Sequence, residues 1–299
     1  MGKKQLFARN ISTWGSLRKI ESREFSYLLD PGLFGDGAEG ARLKGFHDVW
    51  SQLKTSAKKN GFDIKDRKKD QFKEALNTRE YYDTPDFALR NKGFLIRVST
   101  DYIDGKPKGR CTLVVKENSA DEFKRVFRSK LAFRKKYAGK TEIEENVFLD
   151  ADLNLDNSLE VAKKITLNKG ALGNRSLGDF GNIIPHLLKL GLPDDAPLIC
   201  HKTYSYDVKP GRINFTPQSN AVIKLELWTK ESGAVPFVGD LSFTVMTDHY
   251  DDMVDVHNKA EQFSVNVLGR HGAAFAFSDA ARWGGSKTRM LLGLPVTGD

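Results

Sequence analysis

The stretch Tyr81–Val98, YYDTPDFALRNKGFLIRV, constrains this chain more than any other. Asp83-Thr84-Pro85-Asp86 is turn chemistry, because Asp and Thr hydrogen-bond local backbone and Pro85 presets one dihedral. Leu89-Arg90-Asn91-Lys92-Gly93 reads as a short helical turn ended by a glycine in the left-handed conformation. Phe94 to Val98 then alternates as a strand, with Arg97 on the face opposite Ile96 and Val98. A turn this specific fixes where the strand starts, and the strand delivers one guanidinium to whatever its polar face covers.

The remaining pattern is mostly strands. Arg23–Leu29, Arg79–Tyr82, Phe94–Thr100, Arg110–Lys116, Phe123–Leu131 and Thr141–Phe148 are predicted strands, followed by Leu198–Val208, Arg212–Thr216, Val222–Trp228 and Leu241–Met246. Asp104-Gly105-Lys106-Pro107 is a turn, and Pro210-Gly211 reads as a hairpin. Leu43, Phe46, Trp50 and Leu53 recur at helical spacing, which predicts an amphipathic helix over Ala41–Lys59, stopped at Gly61. A last helix uses Met253, Val256, Ala260, Phe263 and Val267. The spacing of Leu177, Phe180, Ile184, Leu187 and Leu188 predicts a helical insertion at about 150–195. The expected fold is α+β: an antiparallel eight-stranded β-barrel with flanking helices, formed by one domain over 1–299. Closure removes exposed sheet edges.

Several of these strands carry charge on one face. Val222–Trp228 places Lys224, Glu226 and Trp228 opposite Ile223, Leu225 and Leu227, while Thr112, Val114 and Lys116 share a face, as do Arg97 and Ser99. Charged faces turned inward make a polar tunnel; turned to water, they make an ordinary half-exposed sheet. The formal net charge of +8 and a pI near 9.2 point to anionic partners. Basic residues crowd Lys54–Lys73, which reads as a solvated face. They also crowd Lys124–Lys136, where predicted strand alternation makes a phosphate or nucleic-acid surface the better reading.

Other classes are excluded by what is missing. With 29% charged and 39% hydrophobic residues the composition is that of a soluble globular protein. No apolar run approaches the roughly 20 residues that span a bilayer. MGKKQLFARNISTW has no apolar core of a leader, so a cytoplasmic protein is expected. Cys111 and Cys200 lack metal-ligand spacing and are expected as buried free thiols in a reducing compartment. No histidine pair has zinc-type helical spacing, the HYDDMVDVH stretch matches no calcium loop, neither glycine-rich segment near the end follows phosphate-loop spacing, and GxSxG is absent.

The Tyr81–Val98 segment resembles the YFDTPD…L…G…LRVR segment of the CYTH family, the triphosphate tunnel metalloenzymes. Ser22–Leu29, SREFSYLL, resembles the opening strand of the VTC-type polyphosphate-polymerase branch. Glu24 stands at an acid of the family's ExExK motif, and Ser22 and Ser26 stand where the other acid and the lysine would be. Ser286-Lys287-Thr288 with Leu292-Gly293-Leu294 resembles the SKY…GL end of the same branch.

The resemblance implies metal-dependent processing, most readily hydrolysis, of a triphosphate-bearing compound in a basic barrel tunnel. The implied catalytic acids are Glu24 and Glu226. The implied phosphate ligands are Arg97, Lys116, Lys124, Arg128, Lys224 and Lys287. The implied cofactor is Mg²⁺ or Mn²⁺ on Glu24, Glu226 and Glu144, with Glu142 in reserve. The partner is a triphosphate or polyphosphate small molecule, a nucleotide or an RNA 5′ end; no membrane and no obligate protein partner are implied. The alternative is a degenerate barrel that binds such a ligand without turning it over.

Overall fold

A computed structural model describes residues 20–119, 129–149, 153–246, 253–278 and 286–294. Eleven strands form one hydrogen-bonded sheet. They are β1 (Ser22–Leu29), β2 (Asp63–Asp66), β3 (Ala75–Asp83), β4 (Phe94–Ile103), β5 (Lys106–Pro107), β6 (Arg110–Ser119), β7 (Lys140–Leu149), β8 (Leu155–Asn168), β9 (Ile199–Asn214), β10 (Asn220–Thr229) and β11 (Pro236–Met246). Their order is β10-β11-β1-β7-β8-β6-β4-β3-β9-β2, with β5 on β4 and an additional β9–β10 pairing. Nine strands thus close into a barrel of mixed sense, with two strands outside it. This corrects the expected antiparallel eight.

Three local corrections accompany the new count. Leu155–Asn168, expected to be helical, is the long strand β8. Pro210-Gly211 is no hairpin, because β9 runs straight through it. Gly211 is instead a close approach: a Cβ there would lie 2.2 Å from the Lys65 carbonyl and 2.5 Å from the Trp50 ring. The predicted strand Phe123–Leu131 lies mostly outside the described residues, and its described part, Ser129–Leu131, is not strand. Asp104 and Gly105 do turn the chain, both with positive φ (49° and 72°), into the β4–β5 hairpin.

The chain divides into two compact units. Unit 1 comprises Met1–Glu74, Glu145–Asn157 and Tyr206–Asp299; unit 2 comprises Ala75–Glu144 and Ser158–Ser205. In unit 1, α1 (Glu39–Lys59) buries Phe46, Val49, Trp50, Leu53 and Ala57, as the helical spacing requires. Glu39 in its first turn and Lys58 and Lys59 in its last complement the helix dipole. Phe25 of β1 stacks on Phe243 of β11 at 4.9 Å, and Phe243 meets Phe263 edge-on at 5.5 Å. Phe263 closes the helix over Met253–Phe263, after which Ser264–Gly269 continues with wider π-type turns. The basic run of this unit is solvated: Lys54 and Lys65 pair with Asp66 and Asp63, while Lys58, Lys59, Arg67, Lys68, Lys69 and Lys73 are exposed.

Unit 2 has its own apolar core, in which Ile96, Val98, Leu113, Val115 and Ile165 from β4, β6 and β8 meet Leu172, Leu177, Phe180, Ile183, Ile184 and Leu187. Cys111 joins this core, but Cys200 is exposed; both thiols are free. The helix supplying Leu177 and Phe180, Leu177–Gly181, starts with a capping box between Ser176 and Asp179. Of the second basic run, Lys124 and Arg128 lie outside the described residues, and Lys130, Arg134, Lys135 and Lys136 are exposed.

The Tyr81–Val98 motif is a capped turn. Asp83 is buried, and its carboxylate accepts from the backbone N–H groups of Thr84 (2.8 Å), Leu89 (2.9 Å) and Arg90 (3.1 Å). Thr84 Oγ accepts from Ala88 N–H at 2.7 Å and donates to Asp86 at 2.6 Å. The short helix Ala88–Asn91 follows, and Gly93 ends it at φ 83°. The motif therefore holds the start of β4, and with it Arg97, in one register. Asp83→Ala is expected to cost about 1–3 kcal/mol, the usual penalty for buried donors left without an acceptor. Urea denaturation reads the loss directly, and an unchanged midpoint would remove Asp83 from this role.

Candidate functional site

Strand register decides which side chains share a face. In unit 2, Arg97 pairs with Val114, and Val114 with Lys164, while Lys116 pairs with Ala162. Arg97, Lys116, Glu160 and Lys164 therefore lie on the face opposite the apolar core. Lys116 hydrogen-bonds Glu160 and stands 3.9 Å from Glu144; Lys164 hydrogen-bonds Glu142 and stands 3.7 Å from Glu144. A solvated face would leave these groups open, yet the Lys116, Glu144 and Glu160 side chains are only 17%, 18% and 5% exposed. This charged face is shielded from water. Burial disfavours the charge on Lys116 and Arg97 opposes it further, but Glu160 and Glu144 outweigh both and leave its pKa raised. The buried Nε–H of Arg97 has no hydrogen-bond partner among the described residues.

Unit 1 presents a second shielded charged face. Glu226 pairs with Asp240 across β10 and β11, and Lys224 pairs with Ser242. On the other side of β11, Ser242 pairs with Ser26 and Thr244 with Glu24. Glu24, Lys224, Glu226, Trp228 and Asp240 consequently share one face, and Leu225, Leu227, Leu241 and Phe243 the other. Lys287, at the start of the short helix Lys287–Leu291, reaches this charged face. Its ammonium lies 2.6 Å from both Glu226 Oε2 and Asp240 Oδ2, and 5.3 Å from the Trp228 ring centre. Lys224 approaches Glu226 to 3.7 Å. Burial pushes the Asp240 carboxyl up, Lys287 pulls it down, and Glu226 adds to the rise.

A third charged group in unit 1 sits on the opposite face of β1. The Arg23 guanidinium lies 2.6 Å from Glu145 and 3.0 Å from Glu261, and Glu145 also accepts from Asn157. This arrangement ties β1 to the helix carrying Glu261 and is structural.

The candidate residues of the sequence are thus distributed as follows. The structure brings Glu24, Lys224, Glu226 and Lys287 to one face of unit 1, and Arg97, Lys116, Glu142 and Glu144 together in unit 2. Asp240, Glu160 and Lys164 are additions. Glu160 and Lys164 were hidden by the helical reading of their stretch, although Leu159, Val161, Ile165 and Leu167 alternate there. Asp240 falls just before the predicted strand Leu241–Met246, after a glycine that suggests a turn.

As for the implied metal, no three His, Cys, Asp or Glu side chains converge on one point among the described residues. Glu226 and Asp240 are hard oxygen donors suited to Mg²⁺ or Mn²⁺. Their shared position, however, is taken by the Lys287 ammonium. The pair as folded does not fit the ion.

Fold and faces together define an α+β barrel protein whose sheet carries two shielded, charge-compensated faces. No protein-family model and no curated protein matches the chain. Among solved structures it is similar to a candidate adenylyl cyclase from Hippeastrum described as having a dominant triphosphatase activity. That pair shares 12% identity and a TM-score of 0.40, over 93% of this chain and 98% of the other. A candidate adenylate cyclase from Bacillus halodurans shares 11% identity and a TM-score of 0.40, over 87% and 94%. A protein from Pyrococcus horikoshii shares 9% identity and a TM-score of 0.34, over 81% and 86%. Likenesses this distant carry no argument about chemistry, which rests on the side chains. No helix among the described residues is long and apolar enough to cross a membrane.

Proposed function

We propose that this protein binds a triphosphate-bearing compound on its shielded charged faces and hydrolyses it, as the resemblance to the triphosphate tunnel metalloenzymes implies. The observation that carries the reading is Arg97. Its Nε–H is buried, lacks a partner among the described residues, and stands on the same shielded face as Lys116. A buried donor of this kind is expensive to leave unmade unless a ligand completes it. A triphosphate supplies such acceptors, and Arg97 and Lys116 would hold its oxygens while Lys116 exchanges a carboxylate for a phosphate. Lys224 and Lys287 are proposed as the phosphate ligands of the charged face of unit 1, and Lys124 and Arg128, outside the described residues, as further ligands. Mg²⁺ or Mn²⁺ belongs to the proposal unit by unit, with Glu24 and Glu226 as its carboxylates in unit 1 once Lys287 has left, and Glu144 as its carboxylate in unit 2, and would supply neutralisation of phosphate charge. A cytoplasmic location accompanies this reading.

The second reading, binding without turnover, is favoured by one feature: Glu226 and Asp240 already hold a cation of the protein's own. Phosphate release from tripolyphosphate, thiamine triphosphate, ATP and a 5′-triphosphorylated RNA, with Mg²⁺ or Mn²⁺, separates the two. Hydrolysis of one of them is the expected result. Thermal stabilisation without release would leave a binder, and neither response would overturn both readings.

A narrower expectation concerns Glu226. In the presence of tripolyphosphate, Glu226→Gln should weaken Mn²⁺ binding by roughly tenfold or more, since a charge-assisted contact is worth about 1.5–3 kcal/mol. An unaltered Mn²⁺ titration would assign Glu226 to the Lys287 ion pair alone.

A further inference from the structure

We infer that Lys287 is a tethered cation that keeps the Glu226–Asp240 pair closed to divalent ions, so that the C-terminal helix and a metal exclude one another there. The inference deepens the metal part of the proposed function and rests on it only for its use, since the geometry lies entirely within unit 1.

Glu226 and Asp240 sit directly opposite each other on adjacent strands, and both are fully shielded from water. Two buried carboxylates this close cannot both stay ionised without a cation between them. The chain supplies one from a distant segment: the Lys287 ammonium makes a 2.6 Å contact to an oxygen of each acid. Trp228, on the same face, adds the attraction of its ring for the ammonium. One oxygen remains over. Asp240 Oδ1 is buried and accepts no hydrogen bond among the described residues. An ammonium offers single point contacts through three donors, whereas Mg²⁺ or Mn²⁺ gathers several oxygens at once. The site therefore has donor capacity that the lysine does not use, and its occupancy by metal requires that Lys287 leave.

Lys287 is also the kind of group a polyanion attracts, being an amine at the start of a helix of five residues. Under the proposed function, an arriving triphosphate would draw the ammonium from the carboxylates and leave them for the cation it brings. Metal occupancy would then depend on substrate.

The experiment titrates Mn²⁺ alone, with no phosphate compound, into the full chain and reads free ion by electron paramagnetic resonance at pH 8. Wild type should show no tight site, and Lys287→Met should bind one Mn²⁺ roughly tenfold tighter than wild type, through removal of a competing charge at contact distance. Adding Glu226→Gln to Lys287→Met should abolish that site. Equal Mn²⁺ binding by wild type and a folded Lys287→Met, or none by the latter, overturns the inference. Should Lys287→Met not fold, wild type suffices. Acetylation of Lys287, followed by mass spectrometry, should quicken several-fold at saturating Mn²⁺, and an unchanged rate overturns the inference equally. Because no triphosphate is present in any arm, a failure of turnover elsewhere leaves these outcomes readable.

Discussion

Arg23→Met is expected to destabilise the protein by about 3–5 kcal/mol, the range for breaking a buried ion pair from one side. The Arg23 side chain is 4% exposed, and its partners Glu145 and Glu261 are 1% and 13% exposed. Methionine keeps much of the length but leaves two carboxylates facing an apolar group. Burial already pushes the Glu261 carboxyl up, and Arg23 is what pulls it back. Denaturant unfolding with an unchanged slope reads the effect. A loss below about 1 kcal/mol would mean that the pair behaves like a solvated one.

The same region should give the protein an acid sensitivity of known sign. His257 is buried, and burial, with the charge of Arg23, pushes its imidazole down to about 3 from the ordinary 6.5. Between those values the unfolded chain takes up a proton that the folded chain refuses, so stability falls as pH drops below 6.5. Glu261, with its carboxyl pushed up, titrates with the opposite sign. The comparison of wild type with His257→Asn therefore isolates the imidazole: the wild-type loss between pH 6.5 and about 3 should exceed that of the variant. Parallel curves would show that His257 takes its proton as readily folded as unfolded.

How much of this was legible in the sequence depended on whether the signal was local. The Tyr81–Val98 turn was readable because Asp83, Thr84, Asp86 and Gly93 each satisfy a backbone requirement within a few residues. The alternation of Val222–Trp228 likewise placed Glu226 and Lys224 correctly. β8 falls inside the helical reading of about 150–195 although its apolar residues alternate, since that reading extends the helical spacing from Leu177 to Leu188 back over it. Gly211 was misread because a glycine demanded by close approach looks the same in sequence as one demanded by a turn. The ion pairs were not legible at all. Arg23 finds Glu145 across 122 positions and Lys287 finds Glu226 across 61. Nothing in either neighbourhood of the sequence announces the partner. Charge complementarity between distant strands is set by register, and register follows from the complete sheet.

Removal of Arg97 and of Lys116 should both weaken ligand binding but differ in their effect on stability, and the contrast tests the proposed function. Lys116 neutralises Glu160, whose side chain is 5% exposed. Lys116→Ala should therefore lower folding stability as well as ligand affinity, because it strands a buried carboxylate. The Nε–H of Arg97 completes no hydrogen bond within the described protein. Arg97→Ala should leave stability little changed while weakening tripolyphosphate binding by about 1.5–3 kcal/mol, the worth of a charge-assisted hydrogen bond. That is roughly 10- to 150-fold in dissociation constant. If hydrolysis occurs, at least one of the two variants should lose turnover beyond its loss of affinity, since stabilisation confined to the transition state appears in kcat. Calorimetric titration beside denaturant unfolding measures both quantities on the same samples. Should Arg97→Ala fold but with lowered stability and bind tripolyphosphate as wild type does, the guanidinium is a structural group, and the shielded face of unit 2 holds nothing but its own ion pairs.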